Sequence, residues 1–214
     1  MSAKNLHLEH LEDEIINQGI DGGRGAVNFL QGLRDMMKGN SSSSVNMTVK
    51  WDGAPAIFCG KHPETGQFFV AKKSLFNKTP LFYTSEDQIK NAKELGGALK
   101  EKFLTSFKYL SKLSWSNVMQ GDLMYTNDTK TQSIDGQSFI TFQPNTILYA
   151  VQADSKLGQQ IASSKMGIVF HTTYEGSTIE GLGASFGANI SKLGHTSDVW
   201  IDDATYKDVS GNSS

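Results

Sequence analysis

Apolar residues in the first part of the chain recur every three or four positions, which is the spacing of one face of an α-helix. This spacing predicts a helix over residues 6–19 that ends at Gly19, and a second helix over residues 25–38 with Phe29 on its apolar face. The glycine-rich segment 21–25 follows a helix and contains no lysine. It is therefore predicted to be an interhelical turn, not a phosphate-binding loop.

The pattern changes after the serine-rich run 40–44, where alternating apolar and polar residues become typical of β-strands. Helices are predicted at residues 85–92, 95–113 and 156–165, the first with Ser85 as its N-cap. Strands are predicted at residues 45–51, 56–59, 68–71, 118–125, 138–142, 146–153 and 168–174. This order of elements predicts an α+β fold with mostly antiparallel sheets and flanking helices.

Changes in composition divide the chain into three predicted segments. Residues 1–44 form an N-terminal helical segment, residues 45–193 form the core, and residues 194–214 form a polar tail. The tail ends without a structural stop signal, so we expect the chain to be truncated, as the N-terminal fragment of a longer protein.

Composition narrows the classes of function. The 214 residues include 20 basic and 22 acidic side chains, and the net charge of −2 argues against a protein that coats nucleic acid by charge alone. This net charge does not exclude a local basic groove that binds nucleic acid. No apolar run in the sequence reaches the length of a membrane span. Cys59 is the single cysteine, so an intrachain disulfide is excluded and a reducing, cytoplasmic compartment is expected.

The residues with the clearest chemical meaning are Lys50, Asp52 and Gly53, at the end of the strand predicted at 45–51. Alternation places the lysine and the aspartate on the same side of the chain, and the glycine allows a sharp turn beside a bulky ligand. A lysine becomes a nucleophile when burial or nearby cations populate its neutral amine. The alternative interpretation is a surface lysine before an ordinary Asp-Gly turn, because so short a pattern also occurs by chance.

Together with the segments that follow it, this motif resembles the covalent nucleotidyltransferase superfamily, which contains DNA ligases, RNA ligases and mRNA capping enzymes. Lys50, Asp52 and Gly53 match the first motif of that superfamily, Lys-x-Asp-Gly. RNA ligases follow it with a strand–turn–strand and a segment of lysine and small residues, and segment 68–74 lies at a similar distance here.

Two later segments extend the resemblance. Segment 118–123 is similar to the third motif, an apolar strand that ends in Gly-Glu, with Asp122 in place of the glutamate. Segment 147–151 is similar to the aromatic-rich strand that comes next in the superfamily. The whole chain is also similar to an uncharacterised family of hypothetical proteins from tailed phages of marine bacteria, through residues 49–56 and 170–174.

The resemblance implies a nucleotide cleft between two antiparallel sheets, in which ATP, with Mg²⁺, transfers its AMP to Lys50. The AMP would then pass to the 5′-phosphorylated end of an RNA or DNA partner, in the host cell cytoplasm if a phage encodes the protein. The residues implied for nucleotide binding are Val49, Asp52, Gly53, Lys72, Lys73, Asp122 and Tyr149, and those implied for the metal ion are Asp122 and Glu175.

Departures from the superfamily pattern support a second interpretation. Pro55 replaces an arginine that DNA ligases and capping enzymes usually have, which favours RNA ligases. The Glu-Gly pairs at Glu175 and Glu180, candidates for the fourth motif, do not lead into a strand that ends in lysine, and the fifth motif, Lys-x-Lys, is absent from the sequence after them. The alternative is a non-catalytic nucleotide- or nucleic-acid-binding module that keeps the ligase fold. The choices between RNA and DNA and between ATP and GTP, and the oligomeric state, stay open.

Three histidines are weaker candidates for a metal site or a catalytic role than the lysine motif is for nucleotide chemistry. His7 and His10 lie three residues apart on the first predicted helix, where a solvated helix face is favoured over a metal site. His171 lies within an apolar predicted strand and is interpreted as a hydrogen-bonded core histidine.

Overall fold

The computed structural model describes residues 11–38 and 51–204. The chain divides into two compact units. Met1–Val49 and Thr205–Ser214 form the first unit, and Lys50–Ala204 forms the second.

Helix α1 (Leu11–Met37) accounts for the described residues of the first unit, apart from the turn that follows it. It is interrupted at Gly19, where φ is 60° and ψ is −131°, a conformation that glycine adopts without a steric penalty. The break therefore falls at the residue predicted to end the first helix. Residues 21–25 are helical, so the predicted interhelical turn there is wrong. The Phe29 side chain, predicted to lie on an apolar face, is 56% exposed.

Strands and short helices alternate in the second unit. Within residues 51–204, the helices are α2 (Glu86–Asn91), α3 (Gly97–Leu110) and α4 (Lys156–Ser163), and 3₁₀ turns cover Lys73–Phe76 and Ile190–Lys192. The strands are β1 (Ala56–Lys61), β2 (Phe68–Ala71), β3 (Phe82–Tyr83), β4 (Val118–Thr126), β5 (Lys130–Ile134), β6 (Gln137–Phe142), β7 (Tyr149–Gln152), β8 (Met166–Glu175), β9 (Gly183–Phe186) and β10 (Val199–Asp203).

The described strands form two sheets. The larger has the order β10-β8-β4-β1-β2-β3, and β9 also pairs with β8. Strand β10 runs parallel to β8, whereas the remaining pairs in this sheet are antiparallel. Strands β5, β6 and β7 form a smaller antiparallel sheet. The predicted α+β class with mostly antiparallel sheet is confirmed.

Each face of the larger sheet has its own packing partners. The helix-covered face carries Ile57, Leu123 and Ile168, which belong to a buried cluster with α2 and α3. On the opposite face, Val169 packs at one end with residues of the smaller sheet, and Phe58 packs at the other end with the first 3₁₀ turn. Because both faces are covered, strands β1, β2, β4 and β8 are rich in apolar residues and give a strong sequence signal.

Serine side chains define the starts of two helices. The Ser85 hydroxyl accepts a hydrogen bond from the Gln88 backbone N–H at the start of α2, as predicted. The Ser155 hydroxyl accepts one from the Gly158 N–H at the start of α4. Each bond satisfies a backbone donor that has no partner within its helix.

Most predicted strands match the structure within a few residues, but the segments with weak apolar character were missed. Strands β5 and β9 are exposed along their whole length, so their sequences carry no apolar alternation. Strand β10 lies within residues 194–214, where the sequence predicts a polar tail. The strand predicted at 45–51 falls almost entirely outside the described residues.

Among residues 11–38 and 51–204, no helix combines the length and apolar character that crossing a bilayer requires.

The packing of α3 on the sheet gives a direct test of the core. Phe103 is fully buried, so Phe103→Ala should lower the free energy of unfolding by about 3–5 kcal/mol through lost contacts and a cavity. Phe186, on exposed strand β9, is 48% exposed, and Phe186→Ala should change it by less than about 0.5 kcal/mol. Urea unfolding measures both values. Equal losses in the two variants would contradict this core.

Candidate functional site

The Asp-Gly part of the lysine motif lies directly beside Asp122. Pairing of β1 with β4 sets Ala56 opposite Asp122. The pairing continues beyond the strand, because the Ala54 N–H donates to the Leu123 carbonyl at 3.0 Å and the Leu123 N–H donates to the Pro55 carbonyl at 3.1 Å. Two segments that are far apart in sequence, each singled out for its chemistry, therefore meet in one place.

Gly53 makes this approach possible. A Cβ atom added at Gly53 would lie 2.6 Å from the Cβ of Asp122 and 2.9 Å from the carbonyl oxygen of Leu123. Both distances are far shorter than ordinary van der Waals contact, so a side chain at position 53 would push the motif away from β4. The glycine is explained by packing against β4, in addition to the turn that the sequence predicts.

Tyr149 anchors the same motif from the smaller sheet. The Asp52 backbone N–H donates to the Tyr149 hydroxyl at 3.0 Å, and the Asn145 side-chain amide donates to the Asp52 carboxylate at 3.1 Å. The Tyr149 ring stacks on Phe142 with 5.3 Å between centroids, and lies 5.3 Å from Trp51. The observed contacts of Tyr149 hold the motif in place. Its predicted role in nucleotide binding stays a prediction.

Asp122 lies in the middle of β4 with its side chain 18% exposed. His171 is its nearest charged or titratable neighbour among the described contacts, with 3.9 Å between Nε2 and Oδ1. The His171 Nδ1 shares a hydrogen bond of 2.8 Å with the Thr172 hydroxyl. Asp122 thus projects from the strand beside a polar partner, instead of ending a strand in bulk water.

A β-bulge brings His171 to this position. Gln120 pairs with Thr172 and Gly121 pairs with Phe170, so His171 has no opposite residue on β4. An extra residue of this kind re-aims side chains and is frequent beside active sites. The sequence predicts a hydrogen-bonded core histidine at position 171, because a bulge leaves no mark in the apolar pattern.

A second carboxylate, which the sequence analysis missed, lies on the same face of the sheet. Val169 pairs with Asp122 on one side and with Asp202 on the other, so the two aspartates are two strands apart, roughly 10 Å between backbones. Burial raises the pKa of the Asp202 carboxyl, and the adjacent Asp203 charge raises it further, against a lowering by the Asp203 backbone N–H. The environment therefore disfavours the ionised form of Asp202.

Gly121 precedes Asp122 in β4, but it serves the packing of the core and not the candidate site. A Cβ atom at Gly121 would lie 2.7 Å from the Val169 carbonyl oxygen, 2.8 Å from the Phe170 ring and 3.0 Å from Ile168. The space above Gly121 is therefore filled by the core on the helix-covered face. The glycine allows β4 and β8 to pack closely and leaves no room there for a ligand.

A lysine from helix α3 reaches the turn after the motif. The Lys102 ammonium donates to the Ala54 carbonyl at 3.0 Å in a partly buried position. The Ser106 hydroxyl donates to the Lys102 carbonyl. This cation-to-carbonyl contact fixes the turn from the helix-covered side, opposite the Tyr149 anchor.

The two predicted lysines after β2 are placed apart from Asp122. Lys72 lies close to Glu94, whose carboxyl pKa is lowered mainly by a hydrogen bond from the Tyr83 hydroxyl and, to a smaller extent, by the Lys72 charge. Lys73 begins the 3₁₀ turn and is exposed. No described contact joins either lysine to Asp52, Gly53 or Asp122. Val49 and Lys50 themselves lie outside the described residues.

The two predicted metal ligands do not share a site. Val118 pairs with Tyr174, so Glu175 ends β8 beside the start of β4, roughly 13 Å or more along the strands from Asp122. In the part of the chain that the structure describes, no group of three or more His, Cys, Asp or Glu side chains is arranged to hold a metal ion. A protein-only magnesium site therefore does not fit these residues.

The close contact at Gly53 predicts a specific loss of stability. Gly53→Ala should lower the free energy of unfolding by about 1–3 kcal/mol, because the added methyl group overlaps Asp122 and Leu123. Gly97, at the start of α3, has open space around its Cβ position, so Gly97→Ala should leave stability unchanged or raise it by up to about 1 kcal/mol. Thermal melting and urea titration measure both. A Gly53→Ala variant as stable as the wild type would contradict the contact.

Comparisons with known proteins identify a family for this chain but do not indicate an activity. Neither the curated proteins nor the solved structures contain a match to this sequence. One family model matches residues 5–214, nearly the whole chain, and it describes a family of unknown function. The protein therefore belongs to DUF6267, a family of unknown function.

Proposed function

We propose that this protein is a nucleotidyltransferase of the polynucleotide-ligase type, with Lys50 as the residue that carries AMP. One observation carries the proposal. Three segments that resemble motifs of that superfamily in the same order along the chain, represented by Asp52-Gly53, Asp122 and Tyr149, converge on one another. Convergence of this kind is independent of the sequence resemblance, because spacing along the chain does not dictate contact in space.

The proposed reaction has two steps. The Lys50 amine attacks the α-phosphorus of ATP, so that an N–P bond forms, the bond to the β-phosphate oxygen breaks, and the amine loses its proton as pyrophosphate leaves. An oxygen of the 5′-phosphate of a nucleic acid end then attacks the α-phosphorus of the phosphoramidate. A P–O–P bond forms, the N–P bond breaks, and the Lys50 nitrogen takes up a proton from solvent as it leaves. The activated end is ready to be joined to a hydroxyl.

The described residues have distinct roles in this proposal. Because Gly53 has no side chain, the backbone there can lie directly against Asp122. Hydrogen bonds from the Asp52 N–H to the Tyr149 hydroxyl and from the Asn145 amide to the Asp52 carboxylate fix Asp52. Asp122, which is mostly screened from solvent, is positioned to interact with the ribose or with a cation that accompanies the phosphates. Lys72 and Lys73 keep their proposed part in offsetting phosphate charge, although neither has a described contact with these residues.

Magnesium enters the proposal only as a companion of the nucleotide. The ion prefers octahedral oxygen ligands and commonly binds through one or two carboxylates together with substrate phosphates and water. Asp122 supplies one such carboxylate, and the described residues assemble no larger set around it. The chemistry that the ion supplies is neutralisation of phosphate charge, and the residue roles above do not depend on it.

The alternative function is a non-catalytic nucleotide- or nucleic-acid-binding module. The observation that favours it is the position of Glu175-Gly176, one of the two candidates for the fourth motif, which lies at the end of β8, away from Asp122. On this view the contacts of Asp52 and Tyr149 maintain an inherited fold. A protein with this alternative function would bind nucleotide without forming a covalent bond to it.

Covalent labelling separates the two functions. Incubation of the full-length protein with [α-³²P]ATP and magnesium should give a label on denaturing gels that is labile to acid and stable to alkali, the behaviour of a phosphoramidate. Lys50→Ala should abolish the label, and Lys50→Arg should as well, because a guanidinium stays protonated and is a poor nucleophile. Lys78→Arg, a matched change at an exposed lysine, should keep it. Label that persists in both Lys50 variants would remove Lys50 from the mechanism.

The carboxylate beside the motif provides a second test. Asp122→Asn keeps the side-chain shape and removes the charge, so it should slow transfer of the nucleotide by about one to three orders of magnitude. Its melting temperature should stay close to that of the wild type, because Asp122 accepts no described hydrogen bond that the variant would lose. Wild-type labelling rates in Asp122→Asn would exclude the residue from the chemistry, and loss of folding would make its role structural.

A further inference from the structure

A pocket lies at the end of the β4–β8 pair where Val118 pairs with Tyr174, away from Asp122. Its floor is apolar and buried, formed by Val118, Tyr174 and Leu182. Its polar rim is formed by Lys61, His62 and Glu175 together with Ser116 and Asn117. The cavity has a volume of about 370 Å³, within the range of roughly 300–1,000 Å³ typical of small-molecule sites.

His62 is the most informative residue in this pocket. It is 8% exposed, and its ring packs against Phe69 and Phe82, with centroids 6.2 and 5.0 Å away. The Glu64 and Thr65 backbone N–H groups donate to His62 Nδ1, at 3.3 and 3.4 Å. Because Nδ1 accepts, the ring proton must be on Nε2. The imidazole is therefore held as a hydrogen-bond donor through Nε2.

The Nε2–H donor has no hydrogen-bond acceptor among residues 11–38 and 51–204, and it is not among the buried side-chain atoms that lack a partner, of which Ser74 Oγ is the one found there. Because His62 lines the pocket, a ligand bound there could accept from this N–H. The turn that carries His62 is fixed by its own backbone bonds, from His62 N–H to Gln67 and from Gly66 N–H to His62.

Glu175 presents the complementary acceptor. The Asn117 amide donates to Glu175 Oε1 at 3.1 Å, and the Ser116 hydroxyl donates to the Asn117 carbonyl oxygen. This chain of bonds orients the carboxylate, and a carboxylate retains further lone pairs when one oxygen accepts a single bond. Lys61 lines the same pocket, and among the described ion pairs there is none between it and Glu175.

The pocket thus offers an oriented acceptor, an oriented donor, an unpaired ammonium group and an apolar floor. A guanine nucleotide matches all four features. Its N1–H and N2–H₂ groups are adjacent donors for Glu175, its O6 and N7 atoms are acceptors for His62, its flat ring covers the floor, and its phosphate suits Lys61. Adenine has no pair of adjacent donors on its Watson–Crick edge, so it would leave Glu175 less well satisfied.

We propose that the pocket bounded by Lys61, His62 and Glu175 binds a guanine nucleotide, as a base-reading subsite for the nucleic acid strand. The geometry of the pocket is independent of the ligase-type chemistry, but the choice of a strand over a free nucleotide rests on the proposed function. The subsite lies roughly 13 Å or more along β4 from Asp122, which is the length of two to four nucleotides of a single strand. It would therefore read a base a few positions away from the reacting end.

The first test is binding of GMP, followed by calorimetry and by NMR of the histidine side chains. GMP should bind at least about tenfold more tightly than AMP and should shift the His62 Nε2 proton signal. Glu175→Gln should weaken GMP binding by about tenfold or more, because an amide accepts less well than a carboxylate. Glu101→Gln, a matched change at an exposed glutamate on α3, should bind like the wild type. Equal binding of GMP and AMP, or unchanged binding in Glu175→Gln, would overturn the guanine site.

The second test separates the sources of the ligand and the two proposals. A short single-stranded RNA with one guanine among uridines should bind at least about tenfold more tightly than GMP and lose this advantage in Glu175→Gln. If GMP binds as tightly as the RNA, the strand subsite is overturned. Covalent labelling and GMP binding are measured on the same wild-type protein. Absence of labelling together with GMP binding that Glu175→Gln weakens would reject the transferase and leave the pocket in place.

Discussion

The whole site depends on a close backbone contact between two strands. Main-chain bonds from Ala54 and Pro55 to Leu123 extend the β1–β4 pairing beyond the end of β1, and the absent side chain of Gly53 allows Asp122 to fit against the chain. Strands β1 and β4 are central in the larger sheet and packed on both faces, so the contact is built on the buried interior of the unit. Precise placement of a reactive group requires such support.

Contacts from two other layers hold this junction. The smaller sheet contributes the Tyr149 hydroxyl, which accepts from Asp52, and helix α3 contributes the Lys102 ammonium, which donates to Ala54. The two contacts come from opposite faces of the larger sheet and fix the backbone at Asp52 and at Ala54. A shift of either the smaller sheet or helix α3 would therefore move the backbone of the motif, even though neither Tyr149 nor Lys102 is close to it in sequence.

Electrostatic asymmetry distinguishes the face that carries Asp122. It holds Asp122, His171 and Asp202 between two apolar clusters, whereas the helix-covered face of the same strands is apolar at these levels. Burial raises the pKa of Asp202, so a nearby cation would be favoured by relieving an unfavourable negative charge. The same face thus has both the polar groups and the low exposure that make electrostatic interactions strong.

Much of the fold was predictable because its central strands are apolar on both sides. Strands β1, β2, β4 and β8, and the Ser85 cap of α2, were read from pattern alone. Strands β5 and β9 are exposed along their length and have no apolar pattern to read. Strand β10 combines three apolar residues with Asp202 and Asp203, and its order comes from parallel pairing with β8, a long-range contact that a local pattern does not encode.

The candidate site was predictable from the sequence only in part. Asp52, Gly53, Asp122 and Tyr149 were singled out by sequence, and they lie together. The metal pair Asp122 and Glu175 is separated by the antiparallel register of β4 and β8, which sequence spacing does not specify. His171 depends on a bulge, and the partner of Lys72 depends on where the connection after α2 places Glu94.

The claim on which the account depends is that Lys50 forms a covalent bond with AMP. Mass spectrometry of the full-length protein after incubation with ATP and magnesium tests it without a label, by digestion and sequencing of the modified peptide. The account predicts a mass increase of one AMP on Lys50 and resistance to tryptic cleavage after that residue. AMP found on another residue, or unmodified Lys50 in protein that demonstrably binds ATP, would contradict it.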